Sequence, residues 1–322
     1  LTMGESIETH MADVPNVINL SALTTNTQGP ISEKLTKLLN EKKSAREFQY
    51  RKHADWNDNY ELYRNKVKTN RLTQRQTVNI PLMKETIKTL LSKVDDAPEV
   101  GWKENSGDQM KEIVYQQIWD DMFLHQDLEL KDILDKKNVF LYGLSTKFLN
   151  LEKDGVSVNV LDVFDVVFDP LAKPLDIESN RFIIRQNIFR ALRDILADER
   201  YSEHGKNALK QWLATDKGVV QSGKNKVEWE RSMERLRSMG VQNEKFPLFA
   251  GGDVIVNLTE HYTNLWEKDK FVRHVVTYAD DVIELLDEKL SDLMGIEEWP
   301  FDRWAEDEET NDVYPDGVAD LV

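Results

Sequence analysis

The residues best placed to do chemistry are three aspartates in one short run, Asp162, Asp165 and Asp169. Carboxylate oxygens are hard ligands, and a set of this kind could hold a divalent ion for phosphoryl transfer or hydrolysis. Glu129-Leu130-Lys131 adds the Glu-x-Lys spacing of metal-dependent nucleases. Both signals have a plainer reading. In a regular strand Asp162 and Asp165 point to opposite faces, so they are poor joint ligands. Glu129 and Lys131 fall in a helical pattern, where they form an ordinary surface pair.

Other constellations are missing from the sequence. The histidines His10, His53, His125, His204, His261 and His274 form no His-Glu-x-x-His pair. Gly205-Lys206 lacks the upstream glycine of a phosphate-binding loop, and neither it nor Gly223-Lys224, which has Gly218 upstream, carries the downstream hydroxyl, since Asn207 and Asn225 stand there. No Gly-x-Ser-x-Gly occurs, and the absence of cysteine removes disulfides and thiolate metal sites together. The expectation is a protein with no catalytic residues, no cofactor and no bound metal. A metal-dependent nuclease or phosphotransferase is one alternative, and a cytosolic helical interaction scaffold is the other.

The elements that would position these residues follow from hydrophobic periodicity. Leu35, Leu38, Leu39, Ala45, Phe48, Trp56, Tyr60 and Tyr63 recur at spacings of three and four, one face of a long helix. Pro81 starts a second helix with Leu82, Ile87, Leu90, Leu91 and Val94, and the turn residues from Asp95 to Pro98 end it. A third is predicted from Asp108 to Asn138. The period then changes to two, which predicts strands over Val139–Leu144, Thr146–Leu151 and Val156–Val163, with Asp154 and Gly155 as a hairpin turn. A strand over Arg181–Arg185 precedes a helix from Ile188 to Leu213, with His204-Gly205 as its point of interruption. A charged helix is predicted over Val227–Met239. Strands over Val254–Thr263, Phe271–Tyr278 and Val282–Leu286 follow, linked by Glu267–Lys270 and by Asp280-Asp281.

The 322 residues are 40% apolar and 31% charged, a globular composition with room for two or three units. No apolar run approaches a membrane span, and the opening LTMGESIETH has neither the basic nor the apolar part of a secretory signal. The net charge of −16 argues against tight, sequence-independent DNA binding. Its distribution is uneven. Ten acids and one arginine occupy Gly295–Val322, whereas twelve Lys and Arg face five acids between Lys34 and Arg75. The eight Trp, nine Tyr and twelve Phe raise the idea of base stacking, but Trp56, Tyr60 and Tyr63 keep core spacing. Trp299 and Trp304 sit in the acidic tail, better suited to an interface.

Between Arg46 and Leu91, the ordered pieces RKHADWNDNYELYRN, NR and VNIPLMKETIKTLLS resemble the opening of tailed-bacteriophage portal proteins. A second segment, VFDVVFDP followed by a two-proline loop and Arg181-Phe182-Ile183-Ile184, is similar to a later element of the same family. The runs L-T-E-H-Y-T (Leu258–Thr263) and V-V-T-Y (Val275–Tyr278) resemble the hairpin of the family's clip region.

The resemblance implies an α+β protein with a helical and mixed α/β wing, a stem helix and a small α/β clip. On this chain it divides as a flexible leader at 1–30, wing at 31–187, stem helix at 188–214, clip-like module at 215–305, and acidic connector with the start of a second stem helix at 306–322. It also implies a structural subunit of a homo-oligomeric ring, most often twelve-fold, at one capsid vertex of the virion, assembled in the host cytoplasm. Double-stranded DNA would pass through without sequence specificity during packaging and ejection. The implied partners are the terminase large subunit, the major capsid protein and head-tail adaptor proteins, with no membrane. Glu260, Tyr262, Trp266, Lys268, Lys270 and Arg273, in the clip-like hairpin, are the candidate motor or adaptor contacts.

Overall fold

A computed structural model describes residues 33–64, 82–94, 109–152, 155–214, 255–267, 269–305 and 312–317. The predicted leader, Arg71, Asn79, Pro81, the charged helix at 227–239 and Lys268 lie outside them. The fold is α+β, with seven helices and two antiparallel sheets among the described residues.

The long helix α1 spans Glu33–Tyr63, as its periodicity requires, and α2 spans Leu82–Lys93. The predicted third helix is two. Helix α3 (Gln109–His125) ends at Gln126-Asp127, where Asp127 takes a left-handed φ of 49°, and α4 runs Leu128–Tyr142. The strand expected over Val139–Leu144 is therefore helix as far as Tyr142. Val139, Leu141 and Tyr142 are all buried there, so no polar face marks the helical period. Gly143 stops the helix at φ 79°, and a Cβ there would stand 2.5 Å from the backbone of Pro315 and Asp316.

Strand β1 (Leu144–Glu152) pairs with β2 (Gly155–Leu161) as predicted. On its other side β1 pairs with β8 (Phe301–Ala305), giving a sheet of order β2-β1-β8. The second sheet has order β3-β4-β5-β6-β7, from Val166–Phe168, Phe182–Ala191, Ile255–Glu267, Lys270–Ala279 and Ile283–Lys289. Asp280 and Asp281, both at positive φ, turn β6 into β7, and the Val282 N–H closes the turn on the Ala279 carbonyl.

This topology corrects two expectations. Residues 188–214 are not one stem helix: Ile188–Ala191 continue β4 past a bulge, α5 covers Leu192–Ala197, and α6 covers Glu203–Leu213. The break falls at Asp198–Ser202, earlier than His204-Gly205. Asp198 there binds both Arg190 and Arg200, and the Ser202 hydroxyl caps α6 by accepting from the Gly205 N–H. Nor are the strands after Ile255 a separate module. β5 pairs along β4 from Phe182↔Thr263 to Ala191↔Ile255, and β8 completes the sheet begun by β1. The wing and clip-like divisions share one core.

Each face of the larger sheet has its own cover. Helix α1 lies on one, with Leu35 and Leu38 against Val276 and Tyr278, and Ala45 against Val167, Phe182 and Ile184. Gln49, fully buried on α1, donates its amide to the Val163 and Val166 carbonyls. The opposite face is shared. The smaller sheet meets it through Phe148, Phe301 and Tyr262, the last two edge to face at 4.9 Å, while α5 and α6 seat Ile195, Leu209 and Trp212 on its far half. Trp56 anchors the main core, with Tyr142, Phe164 and Tyr314 rings edge-on around it. Tyr314 belongs to Asp312–Gly317, part of the predicted acidic connector. That segment packs into the core, where the Tyr314 hydroxyl accepts from the Phe168 N–H.

Candidate interaction hairpin and the cleft at its base

Strands β5 and β6 form a hairpin whose register is Glu260↔Thr277, Tyr262↔Val275, Trp266↔Phe271 and Glu267↔Lys270. Its neighbour β4 begins at Phe182, opposite Thr263, so the last four residues of β5 outrun the sheet. There Trp266 and Phe271 face each other across the strands at 4.7 Å and 77°, edge to face. Such a pair contributes about 0.5–1.5 kcal/mol beyond area burial. Yet Trp266 is 62% and Phe271 69% exposed. Lys270 is exposed beside them, and Asp269 turns the chain at φ 65°.

Along the same strand face, toward the body, lies a cleft of about 750 Å³ between the smaller sheet, the Asp198–Tyr201 corner and the short helix α7 (Leu290–Met294). Its floor is a linked set. Arg185 on β4 stacks 4.6 Å over the Phe148 ring and reaches Glu260 at 3.3 Å, and the Tyr262 hydroxyl donates to Glu260 at 3.1 Å. Burial, reinforced by Glu260, pushes the Tyr262 phenol well above its ordinary value, so it stays a donor. At the wall, Arg200 foremost, with Arg190, holds the Asp198 carboxyl well below the usual range against the opposing effect of burial. These carboxylates are occupied by guanidinium and phenol groups. The cleft floor is thus a braced polar structure joining β4, β5 and the α5–α6 corner.

The six residues expected at the interface therefore separate. Glu260 and Tyr262 are in the cleft floor, Trp266 and Lys270 are at the tip, and Lys268 is outside the described residues. Arg273 is engaged elsewhere: its guanidinium donates to the Glu297 carbonyl and to Glu178, both at 2.5 Å, and lies 4.5 Å over Trp299. The sequence reading missed Phe271, although the pairing of Glu267 with Lys270 places it opposite Trp266. It also missed Arg185 and Arg200, for which no local pattern gives a signal.

The candidate metal ligands are dispersed as well. Asp162 accepts from the Phe164 N–H at 3.1 Å, and Asp165 accepts from the Asn187 amide at 2.9 Å. Asp169, fully buried, is gripped by two Arg181 nitrogens at 2.5 and 2.8 Å. Burial alone would raise its carboxyl, but Arg181 and the Leu171 N–H outweigh that and leave it lowered. Among the described residues, no cluster of three or more His, Asp or Glu could hold a metal ion, and no helix is long and apolar enough to cross a membrane. Glu129 is exposed on α4.

No protein-family profile matches the chain, and a search of curated proteins finds no match.

Proposed function

We propose that this chain is a subunit of a portal-type ring, a structural channel for double-stranded DNA at a capsid vertex of a tailed phage. The observation that carries the reading is the order of the family-like segments, together with what they build. Trp56 and Tyr60, from the first segment, enter the main core. Phe164, Asp169 and Arg181, from the second, pack on that core or pin the loop beside it. The two resembling stretches thus meet as parts of one scaffold.

In this reading the described residues form the α/β body of the subunit, and a packaging motor and head-tail adaptors are partners of the assembled ring. The charge is compatible with passive conduction. A chain of net charge −16 repels polyanionic DNA on average and lets it slide.

The test is imaging by negative stain, with mass measurement, of the protein expressed from its complete reading frame. Rings with a central channel wide enough for duplex DNA are expected. Monomers or dimers at all concentrations would overturn the reading in favour of an interaction scaffold. Magnesium- or manganese-dependent DNA cleavage by the pure protein would overturn it in favour of a nuclease.

A further inference from the structure

The cleft at the base of the hairpin carries charge that its own residues do not cancel. Asp198 is held by Arg190 and Arg200, and Glu260 by Arg185 and the Tyr262 hydroxyl. Asp292, also on the lining, accepts from the Ser291 hydroxyl at 3.4 Å and lies in the field of Lys289, whose ion pair is with Glu267. Glu199 on the corner and Glu288 on β7 line the same cleft, are exposed, and have no cationic partner among the described residues. Even with Arg190 counted, five carboxylates at the cleft face three guanidinium groups.

An acidic rim alone is a solvated surface, but the floor supplies an independent observation. The register sets Arg185, Glu260, Thr277 and Leu286 in one row across the sheet, and Tyr262, Val275 and Glu288 in the next. Thr277 is 1% exposed and lines the cleft between Glu260 and Leu286, and its hydroxyl has no hydrogen-bond partner among the described residues. A buried hydroxyl left in this way is uncommon, because its desolvation goes uncompensated. Val275, Leu286, Leu293 and Met294 add apolar surface to the same lining.

We infer that this cleft binds a slender aliphatic polyamine, one ammonium donating to the Thr277 hydroxyl and others pairing with Glu199 and Glu288 at the rim. The unpaired carboxylates call for positive charge, their placement on separate elements calls for charges held apart, and the walls call for an apolar body between them. A bare divalent ion meets only the first requirement, and among the described residues no three His, Asp or Glu come together as a metal site. The volume of about 750 Å³ falls within the range of about 300–1,000 Å³ usual for small-molecule sites. The Ser202 N–H donates to the Leu285 carbonyl at 2.9 Å and ties the corner to β7, so the cleft is formed before a ligand enters. It lies within one subunit and does not depend on ring closure.

Equilibrium dialysis of the complete protein against radiolabelled spermidine, at low ionic strength, tests the assignment. Saturable binding at one site per chain is expected, and magnesium chloride at matched ionic strength should not displace it. Thr277→Val keeps the side-chain shape without the hydroxyl and should weaken binding about fivefold or more. Glu288→Gln should weaken it about threefold to fivefold. Glu129→Gln makes the same charge change on α4, outside the cleft, and should leave the affinity unchanged. Should Thr277→Val fail to fold, Glu199→Gln takes its place, with the loss expected of Glu288→Gln. The assignment is overturned by non-saturable binding, by displacement with magnesium, by an unchanged affinity in either cleft variant, or by equal weakening in Glu129→Gln. The last would show only diffuse attraction to a chain of net charge −16. Each of these outcomes leaves the ring reading untouched.

Discussion

The surroundings of Trp56 and the outer side of α3 use similar residues to different ends. Trp56 is 1% exposed and enclosed by Tyr142, Phe164 and Tyr314, contributed by α4, the loop before β3 and the Asp312–Gly317 segment. Ile113, Val114 and Ile118 sit on a helix whose one neighbouring face rests on α4 and whose other face meets solvent. Apolar area stabilises a fold only where a partner removes it from water, at about 25 cal/mol per Å². The first region therefore reports on folding, and the second on assembly.

That contrast is broken most severely at the core. Trp56→Ala should cost about 3–5 kcal/mol and leave little folded protein, read as a collapse of the urea midpoint. If the midpoint barely moved, the aromatic enclosure would not be the keystone of the fold. Next is Arg181→Ala, which leaves Asp169 buried without its guanidinium. Because Arg181 is itself largely solvated, the expected cost is about 1–2 kcal/mol. The lowered Asp169 carboxyl stabilises the fold above its unfolded value of about 3.9, and this is lost as pH falls through the folded value. The variant should accordingly lose less stability than wild type on acidification below about pH 4.

A smaller effect concerns His261, fully buried on the α1 side of β5, with Glu41 at 3.4 Å and the Phe182 ring beside it. Burial lowers its proton affinity; Glu41 opposes this and Lys42 assists it. The unfolded chain then binds the proton more readily, so stability is full above about pH 6.5 and falls on acidification below it. In urea titrations, His261→Gln should flatten that fall between about pH 7 and 5. Equal slopes would remove the buried imidazole from the account. The smallest stability change belongs to the outer stripe. Ile118→Ser should alter monomer stability by less than about 0.5 kcal/mol, because about half of its side chain stays exposed. A fall of several kcal/mol in thermal or urea unfolding would mean that α3 is already part of the core.

Much of the layout is readable from the residues, and the misreadings have physical causes. The hairpin turn at Asp280-Asp281, the α1 stripe and the proline-closed end of β3 follow local chemistry. The end of α4 does not, since a helix buried on every side has no polar face to set its period. Nor does β8, in which Phe301, Arg303 and Ala305 all point inward: a buried arginine, 5% exposed and bound to the Val313 carbonyl, disguises the alternation. The strand-to-helix change at Ala191 is set by pairing with β5, far away in sequence. For the candidate site, the tip tryptophan and lysine were legible as hairpin residues. The Arg185–Glu260–Tyr262 floor was not, because it depends on which strands become neighbours.

The placement of Tyr314 has a consequence for the time at which the protein becomes itself. Lys52 on α1 pairs with Asp316 across 264 positions, and β1 waits for β8 to form its second edge. At about 5–20 residues per second, a ribosome that has delivered α1 needs on the order of tens of seconds to deliver its last packing partner. Throughout that interval the nascent chain presents the Trp56 surface without its Tyr314 cover. Synthesis thus imposes a long exposed phase, in which holding chaperones are needed most and a premature stop codon before Val313 would be most damaging.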